Sequence, residues 1–333
     1  MTATTTAMNM ISRTLLATTM FLLLAPAAQG QIKKQKQTKA VTSASQKTEK
    51  LSALITVDEL AALSSENEDI RILELSTLRS EFDKGHLPGA QFVHWVDDIT
   101  DPQESERYNI LKSGEAELFM RLGISNDTHV ILYDRMQSRV STRMFWMMKI
   151  FKHEKVQVLD GGFALWSKTN TPTKKVAEFP RGSYQIDSKN EDLIADLEYV
   201  KQRIKDKETT MIDGRPPKQF SGEEAGKVFH TKVAHKRRGH VPGAVNITWK
   251  DNFNEDGTFK SADQLRKLYS AKGALESKEV ITYCNEGLHA APPWFVLTQI
   301  LGRSDVRLYD DSMAEWANST EPMTNPAPEK KSK

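Results

Sequence analysis

The chain has one cysteine, Cys284, which closes the apolar run VITY and is followed by Asn285-Glu286-Gly287-Leu288-His289 and then AAPPWFVLTQIL. The run reads as a short buried strand. Pro292 and Pro293 suit a first helical turn, where no amide donor is needed. Cys284 therefore falls at the carboxyl end of a strand, in a short loop entering a helix N-terminus. Open α/β sheets gather their ligands at that place. Loop N–H groups and the helix dipole both favour an anion there, which predicts a lowered thiol pKa. Gly287 supplies the unusual dihedral a tight loop needs. The chemistry such a group can do is nucleophilic attack by a thiolate with a covalent intermediate. The competing reading is a small, inert core residue.

The elements that must hold this loop occur twice. GHLPGA (85–90) answers GHVPGA (239–244), VILYD (130–134) answers VITYC (280–284), and VLDGGFALW (158–166) answers LYDDSMAEW (308–316). Collinear matches at a near-constant offset mark a duplicated domain. In the first copy, Thr56 is a predicted N-cap for a helix over Val57–Leu63, IRILEL (70–75) reads as a strand, and a helix over Ala116–Leu122 precedes the strand HVILY. A helix over Thr142–Phe151 and the strand VQVLD (156–160) follow. The second copy gives a helix over Leu193–Ile204, strand TTMID (209–213), a helix over Ala262–Ala271, strand EVITY, a helix over Ala290–Leu301 and strand VRLYD (306–310). Alternating short apolar strands and helices predict an α/β fold, each copy a mainly parallel central sheet flanked by helices. Residues 173–190, rich in Lys, Pro and Gly, read as the connection.

The first copy places Asp134 where the second has Cys284. An apolar slot does not accept an unpaired carboxylate, so both positions are expected to be loop positions open to polar surroundings. Only one copy keeps a nucleophile. His86 and His240 belong to the repeated turns and read as structural. Trp166 and Trp316 recur at equal offset and read as packing residues, whereas Trp249 and Trp294 either line the pocket or pack in the core. Lys236, Arg237 and Arg238 form a basic run that either attracts an anion or is a solvated face. His289 is a hydrogen-bond or proton donor to the sulfur, or a solvated histidine at a helix start. The eight histidines form no HExxH pattern, and neither a metal site nor a cofactor is expected.

These segments, together with DGR (213–215), resemble the tandem-domain rhodaneses, the thiosulfate/3-mercaptopyruvate sulfurtransferase family, over roughly Leu54 to Met323. The resemblance implies two tandem rhodanese-like domains: a non-catalytic one over 51–175 with Asp134 at the Cys position, a linker over 176–192, and a catalytic one over 193–325. It implies a sulfurtransferase whose Cys284 takes a sulfane sulfur as a persulfide and passes it to a nucleophile. The partners so implied are a small anionic sulfur donor and a thiol or cyanide-like acceptor, proteins among them. Arg215 matches a family arginine that contacts the donor, with a surface or interdomain ion pair as the competing reading, and Arg238 is taken with it as substrate-binding. The loop departs from the family's patterns. Glu286 stands where thiosulfate-using members carry a base, and it would repel a dianion if it faces the pocket, so free thiosulfate is not the expected first donor. A phosphatase reading fails because that chemistry needs an arginine to clamp the phosphate, and the sixth position after Cys284 is Ala290. A non-enzymatic sulfur carrier and an inactive scaffold remain as alternatives.

Composition sets the frame. With 38% hydrophobic and 27% charged residues over 333 positions, the chain is of ordinary globular type and long enough for about two domains. Residues 31–50 carry six Lys and one Glu, and this stretch reads as a basic low-complexity linker. Residues 326–333 form a basic tail. Without these segments and Arg13, 36 basic and 42 acidic residues remain. An acidic body argues against nucleic acid as a partner. Arg13, the apolar Leu15–Leu24 stretch and APAAQG have the layout of a secretory signal over 1–30. The expectation is an exported protein of the bacterial periplasm, with no stable membrane insertion after cleavage. One cysteine excludes an intramolecular disulfide, so Cys284 is either buried and inert or kept reduced for chemistry.

Overall fold

The structure, a computed structural model, describes residues 51–63, 69–99, 114–228 and 232–326. The expected signal over 1–30, the basic stretch over 31–50 and residues 327–333 of the tail lie outside them. Among the described residues, no helix is long and apolar enough to cross a membrane.

The first half runs β1 (Leu54–Ile55), α1 (Val57–Ala62), β2 (Ile70–Ser76), α2 (Arg79–Lys84), β3 (Ala90–His94), α3 (Glu115–Arg121), β4 (His129–Asp134), α4 (Arg139–Ile150), β5 (Val156–Leu159) and α5 (Gly162–Trp166). The second runs β6 (Ile194–Ala195), α6 (Leu197–Arg203), β7 (Thr209–Asp213), α7 (Pro217–Phe220), β8 (Val245–Asn246), α8 (Ala262–Ser270), β9 (Glu279–Tyr283), α9 (Ala291–Phe295), β10 (Val306–Tyr309) and α10 (Ser312–Trp316). Each half is a five-stranded sheet, ordered β1-β5-β4-β2-β3 and β6-β10-β9-β7-β8, and every pairing is parallel. The two orders are the same topology, so the duplication read from sequence is one of fold.

The local signals act as their chemistry dictates. Thr56 caps α1 through a full capping box with Glu59. His86 stacks on Phe82 at 3.8 Å and His240 on Phe220 at 3.7 Å, and each Nδ1 bonds the carbonyl of its stacking partner. Both histidines tie a repeated turn to a neighbouring helix, a structural role. Trp166 and Trp316 are buried in the corresponding cores of the two halves.

Several expectations need correction. The helix over Leu193–Ile204 is instead a short 3-10 turn, then β6, then α6. Ile194 and Ala195 are held extended by pairing with Leu308 and Tyr309. The helix expected from Thr142 starts at Arg139, because the Asp134 carboxylate gathers the amides of its first turn. The helix over Ala290–Leu301 is α9 running into a π turn over Val296–Ile300. Residues 173–190 contain no regular element, yet they are strapped to the first half. Thr173 bridges to His86, and Tyr184 is buried against Phe119. A continuous apolar core joins the halves, and Phe145 of α4 meets Phe295 of α9 edge-on at 4.9 Å.

Candidate active site

β7 and β9 pair through Asp213 and Tyr283, so Cys284 leaves the sheet at the carboxyl end of a central strand. Its loop turns back on itself. The N–H groups of Glu286 and His289 reach Cys284 Sγ at 3.5 and 3.2 Å. They can do so because the loop carbonyls are held away. The Cys284 carbonyl accepts from Met313 N–H at 3.1 Å, Asn285 from Ala314 N–H at 2.8 Å, and Glu286 from Arg143 Nη1 at 2.7 Å. In a planar trans peptide the C=O and N–H point oppositely. Fixing the Asn285 carbonyl therefore aims the Glu286 N–H at the sulfur.

Ser312 completes the frame. Its Oγ accepts from Cys284 N–H at 3.0 Å and Gly287 N–H at 3.2 Å, and donates to the Tyr309 carbonyl at 2.7 Å. It does so from φ = 51°, a left-handed conformation that is rare outside glycine. The matching residue of the first half is Gly162, at φ = 55°. A strained serine stands where the first half has a relaxed glycine, and its hydroxyl is what the strain retains.

The first half shows what the loop conformation is built to hold. The Asp134 carboxylate accepts N–H bonds from Met136, Ser138, Val140 and Ser141 at 2.7–3.0 Å, plus the Ser141 hydroxyl at 3.1 Å. One half closes its amide cradle on its own carboxylate. The other presents the cradle to a sulfur. The expectation that both positions are open is corrected: Asp134 is 2% and Cys284 1% exposed. Asp134 is ringed by N–H groups, whereas Cys284 meets two N–H groups and otherwise belongs to the apolar core, as the competing core reading expected.

The expected lowering of the Cys284 pKa is also corrected. Burial pushes the thiol up to about 11, with the Glu286 charge adding to it, against the N–H groups of Glu286, His289 and Ala290. Desolvation outweighs the amides at this buried position. The cradle is arranged for a charge that the resting thiol does not carry at neutral pH.

A cavity of about 140 Å³ opens beside the loop, lined by Asn285, Glu286, Leu288 and His289, with Gln219, Lys227 and Lys232 opposite. Four of the five loop residues named from sequence line it, and Gly287 does not. Cys284 does not line it; its Sγ meets the N–H groups of two residues that do, Glu286 and His289. Glu286 faces the cavity and is 3% exposed. Asn285 is fixed by Gln219 at 3.0 Å and by His235 Nε2 at 3.1 Å. His289 stacks on Trp249 and accepts from Arg139 Nη1 at 3.1 Å. Burial, then the charges of Arg139 and Lys250, hold it down to about 3. It is neutral at physiological pH, its Nε2 faces Arg139, and it is the backbone N–H of His289 that meets Sγ. Trp249 thus stands at the site's edge, whereas Trp294 is a core residue bonded to the Val306 carbonyl.

The two arginines expected on the donor are placed elsewhere. Arg215 is 1% exposed and grips Asp213 from Nε and Nη2 at 2.6–3.0 Å, with Nη2 also on the Gly239 carbonyl at 2.7 Å. Its charge reaches Cys284, yet it does not line the cavity. Arg238 is exposed and bonds the Glu223 carbonyl, and Arg237 caps the end of α10 through the carbonyls of Trp316 and Ala317. Sequence reasoning missed Ser312, Arg139 and Arg143. The repeat offset carried a signal for two of them: Ser312 stands opposite a glycine, and His289 opposite Arg139.

The sequence model of the family described as "Rhodanese-like domain" matches twice, over residues 56–169 and 196–319. The sulfur carrier protein TtuD of Thermus thermophilus is 35% identical over 257 residues, covering 76% of this chain and 90% of that protein. A putative thiosulfate sulfurtransferase of Haloferax volcanii is 34% identical over 260 residues, covering 78% and 90%. Among solved structures, SseA of Escherichia coli, described with the 3-mercaptopyruvate sulfotransferases, superposes with a TM-score of 0.69 at 26% identity, covering 79% of this chain and 99% of that one. Tum1 of Saccharomyces cerevisiae, at 21% identity and a TM-score of 0.69, shares the fold.

Proposed function

The chain belongs to the rhodanese family in both its halves, and from that premise we propose that it is a sulfurtransferase in which Cys284 alone carries the sulfur. The observation that carries this reading is the pair of loops. One amide cradle is closed by Asp134, and the other is centred on a thiol at the same position. In the first step the Cys284 thiol gives up its proton, to solvent or to the departing carrier, and Sγ attacks the transferable sulfur of the donor. The bond between that sulfur and its carrier breaks, and the electron pair leaves with the carrier. In the second step an acceptor nucleophile attacks the outer persulfide sulfur, and Cys284 leaves as thiolate. A persulfide is more acidic than its parent thiol, so the loaded site makes fuller use of the loop N–H groups.

The donor is a small anion of the thiosulfate or 3-mercaptopyruvate type, and the acceptor a thiol or cyanide-like nucleophile. Glu286 on the cavity wall supports a donor less charged than free thiosulfate, an effect that Lys227 and Lys232 on the same wall reduce without removing. Steady-state assays with both donors test this. The mercaptopyruvate-type donor is expected to give the higher kcat/KM, and Glu286→Gln to raise kcat/KM for thiosulfate about tenfold. A clear preference of the parent protein for thiosulfate would overturn the donor assignment.

A second reading is a persulfide carrier that serves a partner protein. It is favoured by the relative named as a sulfur carrier and by the near-complete burial of Cys284. Multiple turnovers with small donor and acceptor, lost in Cys284→Ser, support the enzyme; a single loading event without turnover supports the carrier. Export to a bacterial periplasm is the remaining part of this reading. It rests on the Leu15–Leu24 stretch and APAAQG, and N-terminal sequencing of the protein from its native host tests it.

A further inference from the structure

We propose that Arg143, a residue of the non-catalytic half, is a positioning residue for sulfur transfer at Cys284. Arg143 projects from α4 and is fully buried. Its Nη1 donates to the Glu286 carbonyl at 2.7 Å and lies 2.9 Å from Asp310 Oδ1, while Nη2 bonds Asp310 Oδ2 at 3.1 Å. One planar guanidinium therefore joins a catalytic-loop carbonyl to the end of β10. Asp310 holds the fork in place, and the fork holds the peptide.

The repeat shows why this donor comes from the other half. In the first loop the carbonyl matching Glu286 is that of Met136, and it is held at 2.8 Å by Nε of Arg139, the first residue of the helix that follows that loop. The position matching Arg139 in the second loop is His289. Its ring is turned to Trp249 and to Arg139 itself. The catalytic loop has thus lost its own arginine, and Arg143 supplies the missing donor from across the interface. By holding the Glu286 carbonyl outward, Arg143 sends the Gly287 N–H to Ser312 Oγ. Without that bond the 286–287 peptide keeps only the Gly287 N–H on Ser312 Oγ at 3.2 Å, and its carbonyl dipole can tilt inward against the incoming negative charge. The Glu286 N–H keeps its bearing through the Asn285 carbonyl on Ala314, so the expected loss comes from the turned carbonyl dipole.

This inference rests on the persulfide reading of Cys284, and the test separates the two. Persulfide formation is followed by intact mass and by single-turnover rate, alongside the pH profile of Cys284 alkylation and thermal unfolding. Arg143→Met keeps the bulk but removes the donor. Arg143→Lys keeps the charge but removes the fork. Asp310→Asn weakens the ion pair while leaving Arg143 on the carbonyl. We expect loading to slow by about a hundredfold in Arg143→Met, as misplacement of a reacting group does. Loading should slow less in Arg143→Lys, and only a few-fold in Asp310→Asn. The alkylation profile is expected to shift to higher pH in the order of the loading losses. Equal losses in Arg143→Met and Asp310→Asn, tracking thermal stability with an unmoved pH profile, would reduce Arg143 to a structural ion pair and overturn the inference. Should Arg143→Met prove insoluble, Arg143→Lys decides: loading and a pH profile equal to those of the parent refute the positioning role. Failure of the parent protein itself to load sulfur would instead remove the reading of Cys284.

Discussion

Cys284→Ser is expected to abolish sulfur transfer, by at least about a thousandfold, with the fold unchanged. The substitution replaces one buried atom by a smaller one. The N–H groups of Glu286 and His289, now 3.5 and 3.2 Å from the sulfur, keep an acceptor. No buried donor is orphaned, so thermal unfolding should move little. The chemistry has no such tolerance. A serine hydroxyl stays protonated at any physiological pH, it is the weaker nucleophile toward sulfur, and it forms no persulfide. No second cysteine exists to take over. Steady-state turnover with a small donor and acceptor checks this, and turnover near the parental level in Cys284→Ser would place the chemistry elsewhere.

Gly287→Ala is expected to damage both stability and activity more than any other single change in the loop outside Cys284. Gly287 has φ = 81°, which costs about 1–2 kcal/mol for a residue with a Cβ. That Cβ would also lie 2.0 Å from Asp310 Oδ1 and 2.2 Å from Arg143 Nη1. Neither group can retreat, because the guanidinium is fully buried and holds the Glu286 carbonyl. The methyl must break a buried ion pair or push the loop off its frame, and breaking such a pair costs roughly 3–5 kcal/mol. Urea unfolding should show a loss of roughly that size, and sulfur transfer should fall about a hundredfold. A Gly287→Ala protein that matches its parent in both would mean the loop is not held as described.

Much of this site could be read from residue order. The apolar run ending in Cys284, the Pro pair after the loop and the Asp134 counterpart placed Cys284 in a loop at the carboxyl end of a central strand, where the structure has it. Thr56, the repeated GH-PGA turns and the paired tryptophans gave local structure whose causes lie within a few residues. What escaped was set by distant partners. β1 and β6 are two-residue strands, extended only because β5 and β10 lie beside them. Arg215 fits a donor-binding role by motif, but Asp213, two residues away, takes its guanidinium in a buried pair. The sign of the Cys284 shift depends on burial, a tertiary property, so loop amides and helix position gave only the opposing contribution. Arg143 carries no local mark at all, and its role follows from where α4 meets the second half.

The central claim is that the second amide cradle exists to hold a sulfur on Cys284. Intact-mass measurement after incubation with thiosulfate or 3-mercaptopyruvate, followed by peptide mapping, tests it most directly. The account predicts a gain of one sulfur atom, confined to the peptide containing Cys284, and its loss on adding a thiol or cyanide. A protein that takes up no sulfur from either donor, or carries it on another peptide, would contradict the account.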